Sequence, residues 1–339
     1  MNVWRSGALK GLWGIAIALS VALGSAVLAQ ENTPVSSLAT LEAGEFSALA
    51  ITLNGERMLV ADTANNTARL YDISDPQDPS QLDSIALEGP PLALAPTLEY
   101  AIAIIDTGTD HDLAQVIAPA LFNPRAGWEA YPLLDVPAGT RGFAIDFSGT
   151  WGGIISDDLL LVLELLDAVN VNWVSVDLDE SPIAVAITNR VVLLALEDSA
   201  SITRYALRSG PEAQSLRPLP VSAAVRALDV NDSGDLAAAA LENGDIVIFD
   251  PLANAEPAVL LTAETPVDHL RLLSEGDRTW LAFGAEGETR VHVYSVIDAS
   301  AAQSPSTLEL RAPLRALTSY GNLLAVSEGS SIRLFSIDS

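Results

Sequence analysis

From Asn231 to Asp250 the chain reads NDSGDLAAAALENGDIVIFD. A polar turn is followed by a run of small apolar residues, a second polar turn and a branched apolar run that closes on Asp. Short apolar runs bounded by Gly, Asn and Asp predict strands joined by hairpins, because a helix needs an apolar stripe sustained over several turns. The same order appears in FSALAITLNGERMLVADTANNTARLYDIS from Phe46, which closes on Asp72, and VRALDV at 225–230 leads into the quoted stretch in the way that FSALAIT leads into its own.

Related starts stand at Ala48, Ala93, Phe143, Ala184, Ala227, Leu270 and Ala316, with gaps of 45, 50, 41, 43, 43 and 46 residues. A period of roughly 40–50 residues, with strands throughout, predicts four-stranded propeller blades. Seven starts predict an all-β, seven-bladed propeller over residues 30–339. The irregular second and third units leave six or eight blades as alternatives. DDLLLVLELLDAVNVNWVSVDLDE, from Asp157, is expected to form two long strands around a turn rather than a helix, given its branched residues.

The last unit, PLRALTSYGNLLAVSEGSSIRLFSIDS, supplies three strands, while VSSLATLEAG at 35–44 is a lone strand ahead of the first full unit. Placing the lone strand in the fourth position of the last blade closes the ring. Closure removes the sheet edges that an open array would expose.

Composition narrows the partners. Arg5 and Lys10 precede the apolar run at 12–29, which ends in small residues with Val27 and Ala29 in the recognition positions, so residues 1–29 read as an export signal cut after Ala29. The alternative is a retained anchor. Beyond that cut the chain holds 15 Arg and no Lys against 44 Asp and Glu, a formal charge of 15 − 44 = −29. Such a charge disfavours nucleic acid and anionic lipid as partners and suits a salt-rich surrounding or a basic protein surface. The expected location is the periplasm or the cell exterior, with no integral membrane domain after cleavage. The chain has no cysteine, which excludes disulfides, thiolate catalysis and lipid attachment at an N-terminal cysteine.

LNGERMLVADTANNTARLYDIS at 53–74 resembles a blade of the YVTN-like propellers, and VRALDVNDSGDLAAAALENGDIVIFD at 225–250 is similar to a WD40-like blade. The Gly-His and Trp-Asp pairs of a strict WD repeat are missing. Tyr71-Asp72 and Phe249-Asp250 hold the closing positions instead, the aromatic to pack between sheets and the Asp to cap the turn. The resemblance implies architecture, and propellers of these groups range from assembly platforms to enzymes.

Candidate chemistry is sparse. Arg141, Arg226 and Arg315 stand at the entrance to first strands, in TRGFAI, VRAL and LRAL, so they are expected near one channel mouth. There they would either clamp a carboxylate, phosphate or partner, or pair with Glu88, Glu180, Glu264 and Asp268. Asp106, Asp110 and Asp112, in DTGTDHD, offer oxygens to calcium, although the spacing is not that of the twelve-residue calcium loop. The alternative is an exposed acidic turn, and no other cofactor is expected. His111, His269 and His292 form no zinc motif, and no GxSxG elbow, GxGxxG loop or phosphate-binding loop is present. Trp128, Trp151, Trp173 and Trp280 are expected to pack between blades or on a loop surface.

These features favour an exported interaction or assembly module for a protein of the cell envelope. The rival is a propeller hydrolase for a lactone, ester or sugar, using a divalent cation or an acid pair. Convergent carboxylates, with His269 beside them, would support the rival; a channel of Ala, Leu and paired charges would oppose it.

Overall fold

The computed structural model describes residues 35–44, 46, 48–120, 127–208, 212–298, 301–302 and 306–337. All belong to one compact unit within Glu31–Ser339, and the expected export signal at 1–29 lies outside them.

The described residues form seven antiparallel sheets arranged as a propeller. The inner strands are Ala48–Ile51, Pro91–Pro96, Gly142–Ile145, Pro182–Ile187, Val225–Val230, His269–Glu275 and Leu314–Tyr320. Each is followed outward by its sequence neighbours. In the fourth and sixth blades two short strands share the rim position, Ala213–Ser215 with Leu219–Pro220 and Ala301–Ala302 with Ser306–Glu309. Asp157's segment forms the strands Leu159–Leu165 and Val171–Asp177, and the Asp167 carboxylate caps the turn between them by accepting from the Val169 and Asn170 amides.

Closure takes the expected form. Val35–Glu42 runs antiparallel to Ser331–Ile337, with Val35 opposite Ile337 and Glu42 opposite Ser331. The Ala43 and Gly44 amides both donate to the Ser330 carbonyl, at 2.8 and 3.0 Å. A single strand from the start of the fold therefore completes the seventh blade.

The blades interlock by size. In one alternating set the inner strands carry small residues: Ala48 and Ala50 in the first blade meet Leu94 of the second, and Ala184 and Ala186 in the fourth meet Leu228 and Val230 of the fifth. Ala144 meets Val185 and Ile187 in the same way, and Ala316 meets Leu49 and Ile51 across the closure. Near the axis the sheets crowd together, and a small residue opposite a large one fills the wedge at native density. Cross-strand pairing places Gly142 and His269, not Phe143 and Leu270, in the position of Ala48. The repeat therefore advances by 45, 49, 42, 43, 42 and 47 residues.

Five consecutive inner strands are followed directly by a buried polar residue: Thr52, Thr97, Asp146, Thr188 and Asn231. Each caps the turn to the next strand. Thr97 Oγ1 accepts from the Tyr100 amide at 3.1 Å, and an Asp146 oxygen accepts from Thr150 and Trp151 at 2.8 and 2.7 Å. A buried polar group is tolerated because it satisfies amides that would otherwise lack partners. The closing Asp72 and Asp250 act similarly, accepting from Ser74 and Leu252, while Tyr71 and Phe249 are buried.

At the junction of the fourth and fifth blades the rim is pinned by Arg204, which is fully buried. Its guanidinium donates to the carbonyls of Arg217, Pro251 and Ala253 and to Asn254 Oδ1. Burial lowers the Arg204 pKa, and the nearby Asp250 charge opposes that shift.

Candidate functional site

The channel is chemically one-sided. At the small-residue positions the first four blades keep Ala50, Ala95, Ala144 and Ala186, whereas the last three carry Asp229, Arg271 and Thr318. Two residues earlier in the strand, five of the other blades have Ala and one has Gly where the sixth has His269. Ionisable groups thus enter from the fifth and sixth blades and face walls of Ala, Leu, Val and Phe.

Two cavities occupy the channel, and Phe143, Val185, Leu228 and Arg271 line both. The one on the side of the turns that follow the inner strands measures about 190 Å³ and draws on all seven blades. Asp229 and Asp232 line it. Arg271 Nη1 lies 3.5 Å from Asp229 Oδ1, and Asp229 Oδ2 accepts from the Leu272 amide at 2.7 Å. Burial raises the Asp229 pKa, opposed by Arg271 and by main-chain hydrogen bonds. Asp232 is pushed up to about 6 by burial and by the Asp229 charge, although it accepts a hydrogen bond from the Gly321 amide. The ring of Phe147, which lines this cavity, stacks on that of Tyr320 at 6.4 Å, joining a turn of the third blade to the end of the seventh inner strand. Gly55 admits that arrangement, since a Cβ there would come within 2.5 Å of the Tyr320 ring.

The second cavity, about 230 Å³, lies toward the entrance of the inner strands. Arg226, Asp268, His269 and Arg271 line it, with apolar surface from Phe143, Val185 and Leu317 among others. Arg226 donates to Asp268 through Nε at 3.2 Å and through Nη2, and the Glu286 amide donates to the other Asp268 oxygen at 3.0 Å. Arg271 is held by main chain, with Nε on the Leu317 carbonyl at 3.1 Å and Nη1 on the Leu270 carbonyl at 3.0 Å. The His269 Nε2 atom is buried without a hydrogen-bond partner. Burial holds its pKa below the usual range, with the Arg271 charge acting in the same direction.

The three arginines predicted for the mouth separate into different roles. All occupy the same exposed step of their blades, which in the fifth and seventh is a β-bulge that re-aims one side chain. Arg226 lines the second cavity, paired with Asp268. Arg141 pairs instead with Asp157 at 2.8 Å, and Arg315 is exposed with no ion pair among the described residues. Glu88, Glu180 and Glu264 take no part in these pairs.

Asp106, Asp110 and Asp112 do not converge. Asp106 accepts from the Gly108 amide, exposed Asp110 lies 3.1 Å from His111 Nδ1, and buried Asp112 accepts from the Thr140 amide at 3.1 Å. Among the described residues no group of three or more His, Asp or Glu is placed to hold a metal ion. Asp106 and Asp110 lie in an exposed turn, the alternative to a calcium loop, and the Asp112 carboxylate on the strand that follows ties the second blade to the third. Asp229 and Arg271 stand out from the Ala of the first four blades only when the inner strands are aligned residue by residue, while Asp232 and Gly321 lie in turns of two blades that only the ring brings together.

Trp151 and Trp280 are buried, but Trp173 is 51% exposed on the rim strand of the third blade. It borders a groove of about 360 Å³ walled by Val136, Pro137, Leu159 and Leu161, with His111 and Asp135 at its margin. Neither a family model nor a curated protein matches this chain.

Proposed function

We propose that this propeller is an exported interaction module of the cell envelope, related to the WD40-like and YVTN-like propellers, and that it docks a protein partner against its second and third blades. The observation that carries the reading is Trp173, exposed over an apolar groove on an otherwise acidic chain. A large aromatic beside an apolar recess supplies the kind of anchor that dominates protein–protein binding. Acidic residues around it favour a partner with basic residues at the contact margin. The ring itself holds the rim strands at fixed separations, so little ordering is required on association. A channel of Ala and Leu with Arg226–Asp268 and Arg271–Asp229 paired also fits a module better than a hydrolase.

Affinity recovery of the tagged chain from its native envelope tests the reading, with the Trp173→Ser chain run in parallel. A stoichiometric partner that is lost by at least tenfold in the variant supports it. Equal recovery by both chains removes the groove from the contact, and no partner under gentle extraction removes the module reading.

One observation favours the hydrolase alternative. A carboxyl poised near pH 6 beside a second acid is suited to general acid–base chemistry. Hydrolysis of small esters, lactones or glycosides that vanished in Asp232→Asn would select that reading.

A further inference from the structure

The cavity lined by Arg226, His269 and Arg271 has chemistry that a protein-docking rim does not use. Among the described residues, each of these side chains keeps a nitrogen with no hydrogen-bond partner: Arg226 Nη1, Arg271 Nη2 and the buried His269 Nε2. A buried polar nitrogen left unpaired costs about 1–3 kcal/mol, and the fold bears that cost at a position where the other six blades carry Ala or Gly. Asp268 does not supply a partner, because its oxygens are engaged by Arg226 and the Glu286 amide. Arg226 is paired with Asp268 and Arg271 with Asp229, so the lining offers an anion unpaired N–H groups on two fixed guanidiniums rather than an excess of charge.

We propose that this cavity is a binding site for a small organic monocarboxylate, distinct from the rim groove. The carboxylate lies among Arg226, His269 and Arg271, and its short hydrocarbon chain packs on Val185, Leu317 and Phe143. Guanidinium groups match a carboxylate in shape and charge. Arg271 is already fixed by two carbonyls, so binding need not immobilise it. About 230 Å³ corresponds to roughly seven or eight water volumes, which admits an acid of a few carbons and excludes a peptide. The apolar walls distinguish an organic acid from inorganic phosphate, which would gain nothing from them.

Isothermal titration of the purified chain with acetate, butyrate and hexanoate, and with inorganic phosphate, tests the site at salt that screens the acidic surface. Affinity is expected to rise about fourfold for each methylene until the cavity is full. His269→Ala places at this position the residue that five other blades carry there, so the variant is expected to fold, as its melting curve would verify. It should weaken butyrate binding by tenfold or more. A cavity-filling Val185→Phe should abolish binding without removing any charged group. The proposal is overturned by no saturable heat with any carboxylate, which leaves the cavity to water. It is overturned equally by phosphate binding as well as butyrate without chain-length dependence, or by unchanged binding in folded His269→Ala.

Discussion

The first four blades and the last three solve the same packing problem with different residues. Where Ala50, Ala95, Ala144 and Ala186 close the wedge between neighbouring sheets, Asp229, Arg271 and Thr318 occupy the equivalent places on the other side of the axis. The apolar sector gains from size complementarity alone. In the polar sector each ionisable group must find a partner, and Asp229, Arg271 and the Leu317 carbonyl provide such a set. Small residues are thus not required by propeller geometry as such, and the fold tolerates charge near its axis when the charge is paired.

The largest expected effect comes from carrying the polar solution into the apolar sector. Ala186→Arg would place an unpaired charge against Leu228, and a loss of about 4 kcal/mol or more should appear in urea unfolding. A variant as stable as the parent would show that the sectors differ by history rather than by packing. Arg204→Met, at the rim between the two sectors, strands acceptors on Arg217, Pro251 and Ala253 and should cost about 3–4 kcal/mol in the same assay.

Arg271→Ala restores the residue of the apolar sector but leaves Asp229 unpaired, for an expected loss of about 2–3 kcal/mol at neutral pH. Adding Asp229→Ala should recover at least half of that loss, and a double-mutant cycle measures the coupling. Additive losses would mean that the pair does not act as one unit.

A smaller and pH-dependent effect is expected at Asp232. Its folded pKa of about 6 lies above the ordinary 3.8, so the folded state holds the proton more tightly. Its contribution is therefore fully present below about pH 4 and is lost as pH rises through 6. Asp232→Asn should match the parent at low pH and exceed it by about 1–2 kcal/mol above pH 6, the figure being reduced for solvent screening. Parallel stability curves for the two chains across that window would remove the burial argument. Asp62 and Asp268, whose pKa values are lowered, act in the opposite direction, so only the difference between the two chains isolates Asp232.

Much of the fold was legible in order. Turn residues and strand periodicity mark seven units, and the surplus strand at 35–44 finds its place beside Ser331–Ile337. The phase was off by one residue at Phe143 and Leu270, because Gly142 and His269 break the Ala pattern by which the other strands are recognised. The irregular second blade hid its regular strands His111–Pro119 and Trp128–Pro137, since a histidine, prolines and acids occupy exposed strand positions there. Site residues were less legible. Arg226 was placed near the mouth with its partner Asp268, but DTGTDHD looks like a cation loop only while the directions of its side chains are unknown. Trp173 sits among branched residues that also suit a buried strand, and its exposure depends on the second blade leaving a groove beside it.

The blade repeat, the all-β class, the hairpin turns and the acidity are readable from the residues in order, because each follows from local periodicity or from counting. That Asp229 meets Arg271, that Phe147 meets Tyr320 and that the His269 Nε2 atom is buried without a hydrogen-bond partner follow from packing between blades. Those relations join residues from different blades, or depend on what neighbouring blades leave uncovered. They arise only when ring closure brings seven inner strands around one axis.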